Sequence, residues 1–421
     1  MNVFARCVKT YIDTPLILRV VTGLVIGTTL ALALPGMATV GMLGDIFVRS
    51  LKAIAPVLVF LLVCVSLAGS GEGIMKRFRT VIILYIVSML IAGVVSVAAS
   101  MMFPVSLVFP GSGQAAASDA PTDLGALLRN IVSEITVNPV SAVAGAHYLS
   151  ILFWAIVIGL ALKSAASEKT IAVVQDFADS VSTVTGWIIQ FAPFGVLGLS
   201  YTAVSTSGIE IFKTYGLLVA LLVGCMLFKQ FVCSPLLMSA VLGHNAFPLM
   251  WKCVKESGVN AFFTRSSAAN IPVNMDLCRR LGLDKSFYSV SIPLGSTVNM
   301  DGATITITVM VLATCHTLGI DVTFGNAIVL CILATVGACG ASGIPGGSLL
   351  LIPMACSLFN IPPEISMQVV GVGFIIGVVQ DSFETALNSC GDVMFTATAD
   401  LLDRKRKGQP LDIKAICSRQ D

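Results

Sequence analysis

Asp381, Thr385, Asn388 and Asp392 recur about one helical turn apart within residues 371–400, with Glu384 beside them. On a helix this spacing places two carboxylates, a hydroxyl and an amide in one stripe along a single face. The stretch opens on an apolar run, so the stripe lies at membrane depth, where an ionisable side chain is costly unless paired or wet. One buried acid reads as a group satisfied by its neighbours. A stripe of polar groups in register reads as an ion or substrate path.

Other stretches carry chemistry at comparable depth. Residues 265–272, RSSAANIP, offer serine hydroxyls and free backbone N–H groups at the end of a half-helix, which suits a carboxylate. Serines in membrane helices also serve as packing contacts, so this stretch alone is weak. Asn299, Met300, Asp301 and Gly302 interrupt an apolar helix over residues 290–318 and supply the hard oxygen ligands that a small cation takes. Residues 340–348 are glycine-rich, so their carbonyls can approach a ligand closely, and no charge marks them as a loop in water. In this last third, Asp301, Asp381, Glu384 and Asp392 stand against Arg265 at membrane depth. The excess of negative charge calls for cations: metal ions, the ammonium of a substrate, or both.

The elements that must hold these groups are membrane helices. The 421-residue chain is 56% hydrophobic and 11% charged, against about 25% charged in soluble domains, with a mean hydropathy of +0.92. Many apolar runs reach the ~18–20 residues that cross a bilayer, which favours helices over a barrel. A formal charge of +2 gives no argument for nucleic acid. The twelve cysteines are scattered through apolar runs and read as small buried hydrophobes, not as a disulfide framework or a metal set. No cleavable signal peptide is evident, because the first apolar run continues for a full span.

Spans are expected over residues 16–34, 53–68, 81–103, 148–162, 184–203 and 215–237, with residues 290–318 as the seventh. Residues 37–45 and 104–121 read as loops. Leu124, Leu127, Leu128, Ile131 and Ile135 share one helical face and predict a helix lying at the membrane interface. Lys229, late in the sixth span, is expected to snorkel to the nearer surface. With both termini inside, Lys76, Arg77 and Arg79, Lys163 and Lys169, Lys252 and Lys255, Arg279, Arg280 and Lys285, and residues 404–407 fall on the inner side. Arg49, Lys52, Arg129 and Lys213 are the exceptions to this positive-inside balance. Residues 254–280 and 326–359 each carry a Gly-, Ser- or Pro-rich interruption and behave as helical hairpins that enter the bilayer and turn back. Such interrupted segments point to a transporter site between inverted repeats.

RSSAANIP, PLGSTVNMDG, GASGIPGG and the DxxxTxxNxxxD stripe, in this order, resemble the dicarboxylate/amino acid:cation symporter family, which has the fold of the glutamate transporters. The match covers most of the chain and is most specific over residues 265–392. The resemblance implies an all-α polytopic membrane protein of eight transmembrane helices plus two re-entrant hairpins, a homotrimer in the lipid bilayer that works as an elevator. It implies scaffold helices 1 and 2 over residues 1–75 and transport-domain helix 3 over 76–110. Residues 111–240 would hold scaffold helices 4 and 5 and helix 6, and 241–286 the first hairpin. Helix 7 would span 287–320, the second hairpin 321–360, helix 8 361–403, and a cytoplasmic tail 404–421. Within the family the pattern is closest to the bacterial serine/threonine:sodium symporters of the inner membrane.

The resemblance also implies residue roles. Ser267 and the backbone near Ile344 and Ser348 would hold the substrate carboxylate, Asp381 its ammonium, and Asn388 the carboxylate side, with Thr385 beside it. One sodium would take carbonyls of Gly295, Asn299 and Asn388 with the Asp392 carboxylate. A second would take Thr297, Met300 and carbonyls near Ala338, Cys339 and Ala341. A third would take Tyr85, Ser88, Asn299 and Asp301. Ala303 stands where many relatives have threonine and Met89 replaces a hydroxyl, which puts that third sodium in question.

Glu384 is the most informative departure. Members that carry acidic substrates have an arginine at this position to grip the side-chain carboxylate. A glutamate repels that carboxylate, so acidic substrates should be rejected in favour of serine and threonine. Glu384 is expected either to bond a substrate hydroxyl or to pair with Arg265. A broader neutral amino acid carrier and an acidic amino acid or dicarboxylate symporter are the alternatives. Gly340-Ala-Ser342-Gly343 matches the string of an intramembrane serine protease. That chemistry needs a histidine on a later helix, and His147, His244 and His316 all come earlier. An enzyme is therefore not expected, and a passive channel fits occluding hairpins poorly.

Overall fold

The computed structural model describes residues 14, 16–68, 75–108, 132–133, 137–208, 211–339, 346–409 and 411–418. Every regular element among them is helical. The interfacial helix expected over 124–135 falls almost wholly outside the described residues, as do Ala341 and Ile344.

The first elements are α1 (Leu16–Ala33), α2 (Ala38–Ala68) and α3 (Met75–Met102). The loop expected over 37–45 is instead the opening of α2. Its glycines allow a close helix contact: a Cβ on Gly44 would come 2.8 Å from the backbone N of Leu199, and one on Gly198 would run into the Gly44 nitrogen. Small residues at such crossings are how helices associate in lipid, where no hydrophobic drive separates them from the tails. Gly198→Leu is expected to cost about 1–3 kcal/mol by overpacking, read as a lowered Tm in detergent.

Next come α4 (Tyr148–Ala165), α5 (Glu168–Gln190) and α6 (Ala192–Ser207). The single span expected over 184–203 is divided here, because α5 and α6 meet at a bend of 51°. Pro193 lies in the first turn of α6, where its missing N–H is tolerated and where a continuous α5 would be broken. The α5 residues buried inward, Ala178, Val181, Thr185 and Ile189, follow helical spacing.

A long helix then runs as α7 (Ile211–Phe228), a π turn (Lys229–Cys233) and α8 (Ser234–Leu242). After α9 (Phe247–Cys253) and a second π turn, α10 (Val259–Thr264) stops at Arg265, whose φ of 52° is left-handed. The next helix, α11 (Ser267–Arg280), starts at once, its N-cap Ser266 accepting a hydrogen bond from Ala269 N at 3.2 Å. The expected seventh span is two helices, α12 (Lys285–Val298) and α13 (Asp301–Thr317), interrupted at Asn299 and Met300. Both linking residues have non-helical backbone angles, so the break falls just before Gly302. Beyond α14 (Phe324–Ala338), a 3-10 turn (Ser348–Leu351) leads into α15 (Ile352–Ser357). The polar stripe lies in α16 (Pro363–Arg406), 44 residues without interruption, and α17 (Ile413–Ser418) closes the described chain.

Five helices among the described residues are long and apolar enough to cross a membrane, or six if α5 and α6 count as one span. Leu18, Val25, Trp187, Phe194 and Leu217 are exposed on their outer faces, which suits lipid as the solvent. The chain is a multi-pass membrane protein. Two apolar clusters form its interior, and α16 belongs to both. Ile365 to Ile376 and Leu387 join the larger one, and Cys390 to Leu401 the other. Asp381 to Asp392 therefore sit at the junction of the two clusters, held by packing on either side.

Candidate substrate and cation site

Contact between α13 and α16 sets the geometry. A Cβ on Gly302 would come 2.8 Å from both the Cα and the carbonyl oxygen of Glu384, so only glycine lets these backbones meet. At this crossing Gly302 N donates to Asn388 Oδ1 at 2.7 Å. One residue before the break ends, Asn299 Nδ2 donates to the Asn388 carbonyl at 3.1 Å and to Asp392 Oδ1 at 3.2 Å. Asn388 Nδ2 points at Met300 Sδ, 3.3 Å away. The helix break and the stripe thus lock into one buried polar network.

Glu384 is buried in a nest of donors. Its Oε2 accepts from Thr306 Oγ1 at 2.6 Å, from Ser348 Oγ at 2.9 Å and from Gln380 Nε2. Gln380 also donates to the Thr306 hydroxyl at 2.7 Å. A turn away, Asp381 Oδ2 accepts from Arg265 Nε at 2.7 Å and its Oδ1 from Gly346 N at 3.2 Å. Arg265 therefore pairs with Asp381, and the expectation that it could pair with Glu384 is corrected. The left-handed turn at Arg265 is what throws its side chain across to α16.

A second cluster lies deeper. Asp301 Oδ2 accepts from Ser88 Oγ at 2.7 Å and from Lys229 Nζ at 2.8 Å. Lys229 does not snorkel: its side chain and that of Asp301 are both 0% exposed. A π turn begins at Lys229, and single π turns within helices are frequent at functional sites. Removing one member of a buried pair of this kind costs about 3–5 kcal/mol, because the other charge is left bare. Asp301 Oδ1, Asn299 Oδ1 and Asp392 Oδ2 are buried with no hydrogen-bond partner among the described residues. Buried carboxylate and amide oxygens without donors are what a bound cation would satisfy.

A sequence profile of the sodium:dicarboxylate symporter family matches residues 16–401. The chain belongs to that family. Over 402 residues it is 50% identical to the serine/threonine transporter SstT of Bifidobacterium adolescentis, covering 95% of this chain and 93% of that protein. It is 47% identical to the protein of the same name from Streptococcus thermophilus, over 94% of this chain and 98% of that one. The Enterococcus faecalis SstT is 47% identical over 97% of both chains. The family and these relatives are transporters, not enzymes.

In this symporter the expected site residues divide into those the fold brings together and those it does not. Asp381, Glu384, Asn388, Ser348 and Arg265 share one buried neighbourhood, linked through Gly346 and Gly302. Ser267, at the start of α11, and Thr385 are buried. Asn299, Asp392 and the Asn388 carbonyl converge, and the Gly295 carbonyl is taken by Asn299 N at 2.8 Å. Thr297 Oγ1 turns back to the Leu294 carbonyl at 3.0 Å. Ala338 ends α14 and Cys339 is its C-cap, while Ala341 lies outside the described residues. Of the third set, Ser88 meets Asp301, but Tyr85 aims its hydroxyl at the Ser291 carbonyl and Thr396 instead. Sequence reasoning missed Gln380 and Thr306. Gln380 was within reach, since it lies four residues before Glu384 on the same helix face. Thr306 reaches Glu384 across two helices, which no local spacing reveals.

Proposed function

We propose that this protein is a sodium-coupled importer of serine and threonine in the bacterial inner membrane. The observation that carries the reading is Glu384, a carboxylate buried at the position from which acidic-substrate members reach for a second carboxylate. The sequence holds no Lys or Arg between Lys285 and Arg404 to offset it. Its Oε2 already collects two hydroxyl donors, from Thr306 and Ser348. A serine or threonine side chain offers one more hydroxyl, to the other oxygen. The names of the relatives support the same substrates.

In this reading the substrate ammonium binds Asp381, displacing part of the Arg265 contact, and Arg265 turns toward the substrate carboxylate. Ser267, the first N–H groups of α11 and the backbone near Ile344 and Ser348 complete the carboxylate cradle. Asn388 and Thr385 flank the bound amino acid. Asn299 and Asp392, with carbonyls of Gly295 and Asn388, hold a sodium, and Thr297 and Met300 hold a second with the tip beyond Cys339. The architecture that goes with the reading is eight transmembrane helices and two re-entrant hairpins in a homotrimer, both termini cytoplasmic, the site moving as an elevator.

Competition against labelled serine uptake tests the substrate claim. Threonine should compete at concentrations close to serine, and aspartate should not compete. Aspartate competing as well as threonine would overturn the role of Glu384, and alanine competing equally would widen the carrier to neutral amino acids. Asp392→Asn is expected to raise the sodium concentration for half-maximal uptake about tenfold or more. Serine affinity at saturating sodium should change far less. A sodium dependence left unaltered would make Asp392 a packing residue.

A further inference from the structure

The Lys229 ammonium is fully buried against Asp301, and unlike Arg265 it has no task in the transport reading. Its Nζ sits 2.8 Å from Asp301 Oδ2, 2.8 Å from Ser88 Oγ and 2.8 Å from Ser234 Oγ. An ammonium has three donors, so these three oxygens complete it. The Phe395 ring lies 5.8 Å away and closes the remaining side. A buried cation held by a carboxylate and two hydroxyls is what a sodium site looks like, with the ion replaced by a tethered charge.

We propose that Lys229 is the resident cation of the Asp301 pocket, so that no sodium binds there and one fewer sodium is coupled to each substrate. The inference rests on the sodium-coupled reading and refines it. Ser88 and Asp301, two of the residues expected to hold a third sodium, are spent on Lys229, and Tyr85, a third, is turned toward Ser291 and Thr396. Lys229 and Asp301 cancel as a pair. Asp301 Oδ1, Asn299 Oδ1 and Asp392 Oδ2 all lack a hydrogen-bond partner, but Lys229 already neutralises Asp301, whereas Asp392 has no basic partner among the described residues, so the missing charge is at Asp392. The π turn begins at Lys229 itself, so the helix departs from regular geometry at the residue that enters the Asp301 pocket.

The test is the limiting serine gradient that proteoliposomes reach under a tenfold sodium gradient at zero membrane potential. It is measured for the wild type, Lys229→Met and the double variant Lys229→Met/Asp301→Asn. Each further coupled sodium raises that limit about tenfold. Lys229→Met should gain one sodium and rise about tenfold. The double variant should return to the wild-type limit. Replacing both partners of a buried ion pair is tolerated where removing one is not, so the double variant decides the question even if the single one does not fold. A double variant whose limit falls about tenfold below the wild type would show that sodium binds Asp301 in the native protein, and would overturn the proposal. An unchanged limit in a folded Lys229→Met would overturn it as well. Wild-type uptake without any sodium dependence is a separate result, which removes the functional reading and this inference together.

Discussion

Glu384→Arg should abolish serine uptake, with a fall of at least about 100-fold. The substitution removes the acceptor for Thr306, Ser348 and Gln380 and leaves those buried donors bare. It also sets a guanidinium one turn from Asp381, whose carboxylate, already paired with Arg265, must then serve two cations. Each bond lost to a charged acceptor is worth about 1.5–3 kcal/mol, and two of them already reach the stated factor. The same guanidinium supplies the fork that grips a carboxylate, so aspartate should begin to compete for the site. Glu384→Gln, which keeps the shape and loses the charge, should reduce serine uptake by about tenfold. Serine transport undiminished in the folded arginine variant would remove the specificity argument.

Asp381→Asn is expected to lower serine uptake at least about 30-fold. Two effects act together. The substrate ammonium loses its counter-charge, and Arg265, with a side chain only 10% exposed, is left as an uncompensated buried cation. Truncating one partner of such a pair costs about 2–5 kcal/mol, much of it the penalty on the survivor. The variant should remain folded, because Asn can still accept from Gly346 N. Its elution profile in detergent should therefore match the wild type while serine binding is lost. A wild-type serine affinity in Asp381→Asn would mean that the ammonium binds elsewhere.

What the sequence reveals and what it hides follow from the range of the interactions. The stripe on α16 is legible because helical periodicity is local, and Asp381 to Asp392 declare a shared face without any knowledge of neighbours. The interruption at Asn299 and Met300 is legible too, because it falls inside the polar stretch from Asn299 to Gly302 in an otherwise apolar helix. Lys229 is hidden. Its partner Asp301 is 72 residues away, and a lysine near a helix end looks like one that snorkels unless that partner is known. The 37–45 segment misleads because its glycines resemble a loop until Gly198 is seen packed against Gly44. The bend between α5 and α6 is a milder case: Pro193 announces it, but continuous hydrophobicity on both sides conceals it. The alternatives for Arg265 likewise could not be separated without the left-handed turn that carries it to Asp381.

Serine uptake by the purified protein in proteoliposomes separates sodium-coupled transport from uncoupled passage. Labelled serine is offered under an inward sodium gradient and, in parallel, with potassium replacing sodium. Serine should accumulate above its external concentration with sodium and not with potassium. Equal uptake in the two conditions would contradict it, leaving the helical architecture and the buried polar network without the coupling assigned to Asn299 and Asp392.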